Sequence, residues 1–131
     1  MPRLILITLL ILLCSGPAYA EWVKVTSNVQ EEATLYVNPD TIRRKEEMVR
    51  MWVLTDYKTI RTLQDECYLS TKGKEEYDCD GERSRNLALM AFSGNMGGGK
   101  AVYSTPGEGA WVPVELETVG HIMWKFACEK Q

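Results

Sequence analysis

The chain has 131 residues, 45% of them hydrophobic and 25% charged, with a formal net charge of −3. That balance argues against a nucleic-acid binder, which needs clustered Lys and Arg in excess. The hydrophobic content, with aromatics spread along the chain, argues against disorder.

Residues 1–20 read as a secretory signal peptide. Arg3 gives a positive start, residues 4–13 are an uncharged apolar run, and Ala18-Tyr19-Ala20 is a small-x-small site with cleavage expected after Ala20. The run is too short to span a bilayer, so no integral membrane span is expected. Cys14 follows Leu13, not the small residue that a lipoprotein signal needs, so lipidation is not expected. Residues 21–131 remain, enough for one domain. The protein is therefore expected to be exported, to the periplasm or the cell surface.

Beyond the signal, most segments read as strand. Residues 22–25 alternate apolar and polar, and residues 33–37 are β-branched and aromatic, ending in an Asn38-Pro39-Asp40 turn. Residues 43–47 form a charged connection. Residues 48–57 come next as a long strand, with Val49, Met51, Val53 and Thr55 on one face and Met48, Arg50, Trp52 and Leu54 on the other. Residues 59–66 are polar and ambiguous. Residues 68–72 and 75–79 read either as one run or as a hairpin about Gly73. After an Asp80-Gly81 turn comes a strand at 83–93, which alternation would give one face of Arg83, Arg85, Leu87, Leu89 and Ala91. Residues 94–100 are a glycine-rich loop, 101–104 a short strand, and 111–114 an extended stretch kept off a central ladder position by Pro113.

The period then changes. Val119, Ile122, Met123, Phe126 and Ala127 recur at three and four, which predicts an amphipathic helix over 119–130 with Thr118 as N-cap. So short a helix is marginal alone and needs the sheet. The expected fold is α+β: a single antiparallel sheet of about six strands with a C-terminal helix packed on one face.

Cys67, Cys79 and Cys128 lie beyond the signal. In an oxidising compartment they give one disulfide and one spare thiol, with three pairings open. A zinc site needs closely spaced Cys or His, whereas these cysteines are far apart and His121 is the only histidine, so no metal is expected.

Candidate chemistry is sparse. Gly94-Asn95-Met96-Gly97-Gly98-Gly99-Lys100 fits the first seven positions of a phosphate-binding loop, but Ala101 supplies no hydroxyl for magnesium and a strand comes next where a helix is needed. No nucleotide is expected. His121 falls opposite the apolar stripe, as a solvated residue. Acidic neighbours in Gln64-Asp65-Glu66-Cys67 disfavour a thiolate. Glu46-Glu47 and Glu75-Glu76 point to opposite faces when on strands, so neither pair can straddle a bond, and both read as solvated edges. Arg83 and Arg85 share a face, where pairing with Glu75, Glu76 or Asp78 competes with binding an anionic partner. No catalytic residue and no cofactor are expected. Trp22, Trp52, Trp111 and Trp124 are the better clue: core packing is the default for each, and any left exposed would suit a protein-binding surface.

Four blocks carry a resemblance: Glu76-Tyr77-Asp78-Cys79, Arg83-Ser84-Arg85, Ser93-Gly94-Asn95-Met96-Gly97 and Trp124-Lys125-Phe126-Ala127-Cys128. With Trp22, Tyr36-Val37-Asn38 and Trp52 in looser agreement, the chain resembles the surface-adhesin protein E family of bacterial exported proteins from residue 22 to 128. The resemblance implies a six-stranded antiparallel sheet tied to a C-terminal helix by a disulfide. On these cysteines that is Cys79–Cys128, with Cys67 left as a free thiol able to link two copies. Pattern alone leaves Cys67–Cys79 open, through a hairpin about Gly73. For the adhesin members, the resemblance implies binding to host proteins such as plasminogen, vitronectin and laminin. The chain departs from the family pattern at Glu115-Leu116-Glu117, at His121, where a Glu is usual, and at Cys67. The expected function is a non-enzymatic exported binding protein, its partner a host or envelope protein or a second copy of itself as a homodimer. The alternative is a periplasmic accessory or structural envelope protein with no host ligand. A small hydrolase is a third reading with no residues to carry it.

Overall fold

The computed structural model of the protein describes residues 21–129. The signal-peptide reading falls on residues 1–20, outside the described residues, as does Lys130 at the expected helix end. The strands are β1 (Val23–Asn28), β2 (Ala33–Val37), β3 (Arg43–Lys45), β4 (Met48–Leu63), β5 (Glu66–Asp78), β6 (Arg83–Phe92), β7 (Ala101–Thr105) and β8 (Val112–Pro113). One helix, α1 (Val119–Glu129), completes the described chain.

These elements form one antiparallel sheet in the order β1-β2-β4-β5-β6-β7. Short β3 pairs with β4 beyond the end of β2, and β8 pairs with β6 beyond β7, so eight strands fill six positions. The expected α+β architecture is what the protein adopts.

Alternation assigns the faces of β4 as the sequence predicts. Val49, Met51 and Val53 are buried with Val37 and Tyr77 beneath Met123 and Ala127 of α1. Each Val or Met among them stabilises the fold by roughly 1.5–3 kcal/mol relative to exposure. Thr118 caps the helix: its Oγ1 accepts from the His121 amide (3.1 Å) and donates to the Glu115 carbonyl (2.6 Å). The buried stripe is narrower than the periodicity suggests, because Ile122 is 41% exposed.

Three segments that the sequence leaves open or reads as a connection form strand. The ambiguous stretch 59–66 is the end of β4, a turn at Gln64-Asp65 and the start of β5. Gln64 and Asp65 both hold positive φ (52° and 65°), a hairpin conformation that Asn-Gly normally signals. Of the two readings of 68–79, the single run holds and the hairpin does not: Gly73 sits mid-strand in β5, between Val53 and Leu89. In the charged connection at 43–47, residues 43–45 form strand β3 and Glu46-Glu47 the turn into β4.

In β6 the alternation breaks. Lys74 pairs with Ala88 and Glu75 with Asn86, so Leu87 is bulged out of register. Arg83 and Arg85 therefore share a face with Ala88 and Met90, whereas Leu89 and Ala91 lie on the helix side with Ser84 and Asn86.

Candidate functional site

The helix covers one face of the sheet. The opposite face carries the other alternating residues: Arg50 and Trp52 of β4, Lys72, Lys74 and Glu76 of β5, and Arg83 and Arg85 of β6. A turn and the loop bearing Glu108 and Trp111 fold onto part of it, and Asp40 and Thr41 border it beside Arg50 and Trp52.

The turn is the glycine-rich one. Asp56 Oδ1 accepts from the Met96 amide (2.7 Å) and from Asn95 Nδ2 (3.0 Å). Ser70 Oγ accepts from the Gly97 amide (2.8 Å) and donates to the Gly94 carbonyl (2.6 Å). The amides of Gly94, Gly98 and Lys100 donate to Gly98 O, Asn95 O and Ser93 Oγ. A phosphate cradle needs free amides ahead of a helix; these are already engaged, and β7 comes next.

A charged network crosses the middle of the face. Glu76 is 4% exposed. Its Oε2 accepts from Arg50 Nε (2.9 Å), and its Oε1 from Arg85 Nε (2.8 Å) and Nη2 (2.7 Å). Arg85 Nη1 reaches on to Glu108 Oε2 (3.1 Å). Burial pushes the Glu76 carboxyl up, but the hydrogen bonds and charges of Arg50 and Arg85 outweigh it and hold the group below the usual range. Asp78 is held low by the Gly81 amide (2.9 Å) and then by Arg83 Nε (2.9 Å). The arginines of 83–85 thus meet their acids on β5, and Glu76 is not the solvated edge residue its sequence suggests. Glu46-Glu47 does lie exposed, in the β3–β4 turn.

Aromatics lie against these cations. The Arg83 and Arg85 guanidinium carbons sit 4.4 and 4.5 Å from the Trp111 ring centroid. Lys72 Nζ lies 5.7 Å from the Trp22 ring and 5.2 Å from Phe92. Trp52 flanks Lys74 across the ladder. Trp22, Trp52 and Trp111 are half-buried on this open face, so core packing is the wrong assignment for them. Trp124 alone packs between helix and sheet, its Nε1 donating to the Asp78 carbonyl (3.0 Å). His121 is half-buried, stacked on Trp124 at 6.0 Å, rather than fully solvated.

Cys79 is disulfide-bonded to Cys128, with Cα atoms 5.6 Å apart, and the bond joins the end of β5 to the last turn of α1. Cys67 is an exposed free thiol at the start of β5. Among the described residues there is no group of three or more His, Cys, Asp and Glu placed to hold a metal. Among them, too, no helix is long and apolar enough to cross a membrane, which says nothing of spanning by strands.

An antiparallel sheet backed on one face by a single disulfide-tethered helix, and open on the other, defines a small α+β domain. The chain belongs to the surface-adhesin protein E family, whose sequence model matches residues 22–129. Among curated proteins, none matches it significantly. Solved structures of Haemophilus influenzae protein E share the fold. One, crystal form II, superposes with a TM-score of 0.67 at 10% identity, covering 87% of this chain and 91% of that one. A second gives 0.65 at 10% identity, covering 87% and 88%. Protein E from a non-typeable strain gives 0.57 at 9%, covering 87% and 79%.

Proposed function

We propose that the protein is an exported, non-enzymatic binding domain that holds a protein partner on the open face of its sheet. On this reading the chain is cleaved after Ala20 and works as one domain, residues 21–131, at the cell surface or in the periplasm. The observation that carries it is the placement of Trp22, Trp52 and Trp111, half-buried among arginines and lysines on the face the helix leaves bare. Trp and Arg are the residue types that dominate binding energy at protein interfaces. The arginines are pre-positioned by Glu76 and Asp78, which lowers the ordering cost of binding. Membership of a surface-adhesin family supports a protein partner, with host matrix and plasma proteins as the first candidates. A second copy is another, which the exposed Cys67 could link covalently.

Two measurements test this. Protease shaving of intact cells locates the protein, surface exposure favouring host binding and protection inside the envelope favouring an accessory role. Titration of the purified protein against matrix, plasma and envelope proteins should then give at least one saturable complex that Trp111→Ala weakens about tenfold or more. The absence of any saturable protein complex would defeat the proposal.

A further inference from the structure

A cavity of about 240 Å³ lies on the helix face, beside the first turns of α1. Its walls are mixed: Leu35, Val53, Leu89 and Met123 supply the apolar part, and Thr55, Thr71, Ser84 and Tyr77 the polar part. The Glu75 carboxyl lines it, with Asn86 Nδ2 donating both to Glu75 Oε2 and to the Ala88 carbonyl (3.0 Å).

Gly73 makes this arrangement possible. A glycine in the middle of a strand weakens it and usually marks a close approach. Here a Cβ would stand 2.9 Å from Glu75 Oε2 and 3.2 Å from Asn86 Nδ2, so the carboxyl and amide ends occupy space that a side chain at this position would take.

Among the described residues, no cation pairs with that carboxyl. The cavity receives Val53 and Thr55 from β4, Ser84 and Leu89 from β6, and Val119 and Met123 from α1, none of them charged. Besides Glu75, the titratable group facing it is Tyr77, whose phenol burial raises. An ionised carboxylate in such surroundings is costly unless something supplies positive charge. Burial accordingly raises Glu75 to about 7, with the Asn86 hydrogen bond opposing.

We propose that the cavity binds a small organic ammonium ion on a short apolar tail or ring, with the Glu75 carboxylate as its counter-ion and Asn86 holding that carboxylate in place. Size agrees: roughly 150 Å³ suffices for benzene, and this half-open cleft of about 240 Å³ leaves room for a ring with a short aminoalkyl arm that can reach solvent. The site lies on the helix side of the sheet and is independent of the protein-binding face.

The test is an NMR titration of the protein purified after export, following the Met123 and Leu89 methyl signals. The probe is 2-phenylethylammonium, with 3-phenylpropanoate as an anion of similar shape. The ammonium should give saturable shifts above the Glu75 midpoint, binding about tenfold or more weaker well below it. The anion should not bind there, and Glu75→Gln should weaken the ammonium about tenfold or more. The comparison of probes and of pH needs no mutant, so a folding defect in Glu75→Gln cannot obscure the result. No saturable shift, equal binding of both probes, or binding that tightens as Glu75 protonates would overturn the proposal.

Discussion

Glu76 occupies an environment very different from that of its neighbour Glu75, and one peptide bond separates them. Alternation sends Glu76 to the open face between two arginines and Glu75 to the helix face with no cation. Adjacent carboxylates are thus split into a paired anion and a half-buried acid with a raised pKa. The sequence shows that they face opposite ways. It does not show that Arg50, 26 residues away, lies opposite Glu76, because that comes from register. Removing Glu76 should be costly, since both its oxygens are engaged, but its arginines can relax toward solvent. Glu76→Ala should therefore cost about 1–3 kcal/mol in denaturant unfolding. Arg85→Ala should cost more than Arg50→Ala, because the Arg85 side chain is 22% exposed and that of Arg50 48%. The pH sense is set by the depressed carboxyl: its contribution is present above the unfolded-state value of 4.5 and is lost as pH falls through the lower folded value. The stability difference between wild type and Glu76→Gln should thus shrink on acidification; a difference that grew would contradict the pairing.

Among the elements, legibility tracks burial. The central strands and the helix could be read because one side of each meets the core and imposes a period of two or about 3.6. The outer ends of β4 and β5 could not. Beyond Tyr57, β4 has lost β2, and before Ser70, β5 has no β6, so the two pair only with each other. A two-stranded ribbon has no core face and writes no alternation, which is why 59–66 reads as polar and shapeless. The bulge at Leu87 was equally hidden, since sequence alternation runs straight through it. The helix depends on its tether. Cys79 and Cys128 are separated by 49 residues, a loop whose closure is worth at most about 4 kcal/mol in the chain-entropy model. Cys128→Ser should lower stability by about 2–4 kcal/mol and speed amide exchange across α1 more than in β4 and β5. Cys67→Ser, at an exposed thiol, should leave both unchanged and abolish any covalent dimer. Equal loss from the two substitutions would show that the tether does not hold the helix.

At the scale of the molecule, the fold divides the sheet's two faces between two tasks. One face stores the core under α1 and leaves a cavity around Glu75. The other presents aromatics set among ordered cations. The fold class and the family blocks were legible because they are contiguous in sequence. The open face was not, because Trp22, Trp52 and Trp111 are brought to one face only through strand order and through a loop that returns along β6. Footprinting by hydroxyl radicals, with and without a saturating protein partner, tests this division most directly. The account predicts protection of Trp22, Trp52 and Trp111 on binding, with Ile122 on the helix unchanged. Protection of Ile122, with those three tryptophans still fully reactive, would contradict it.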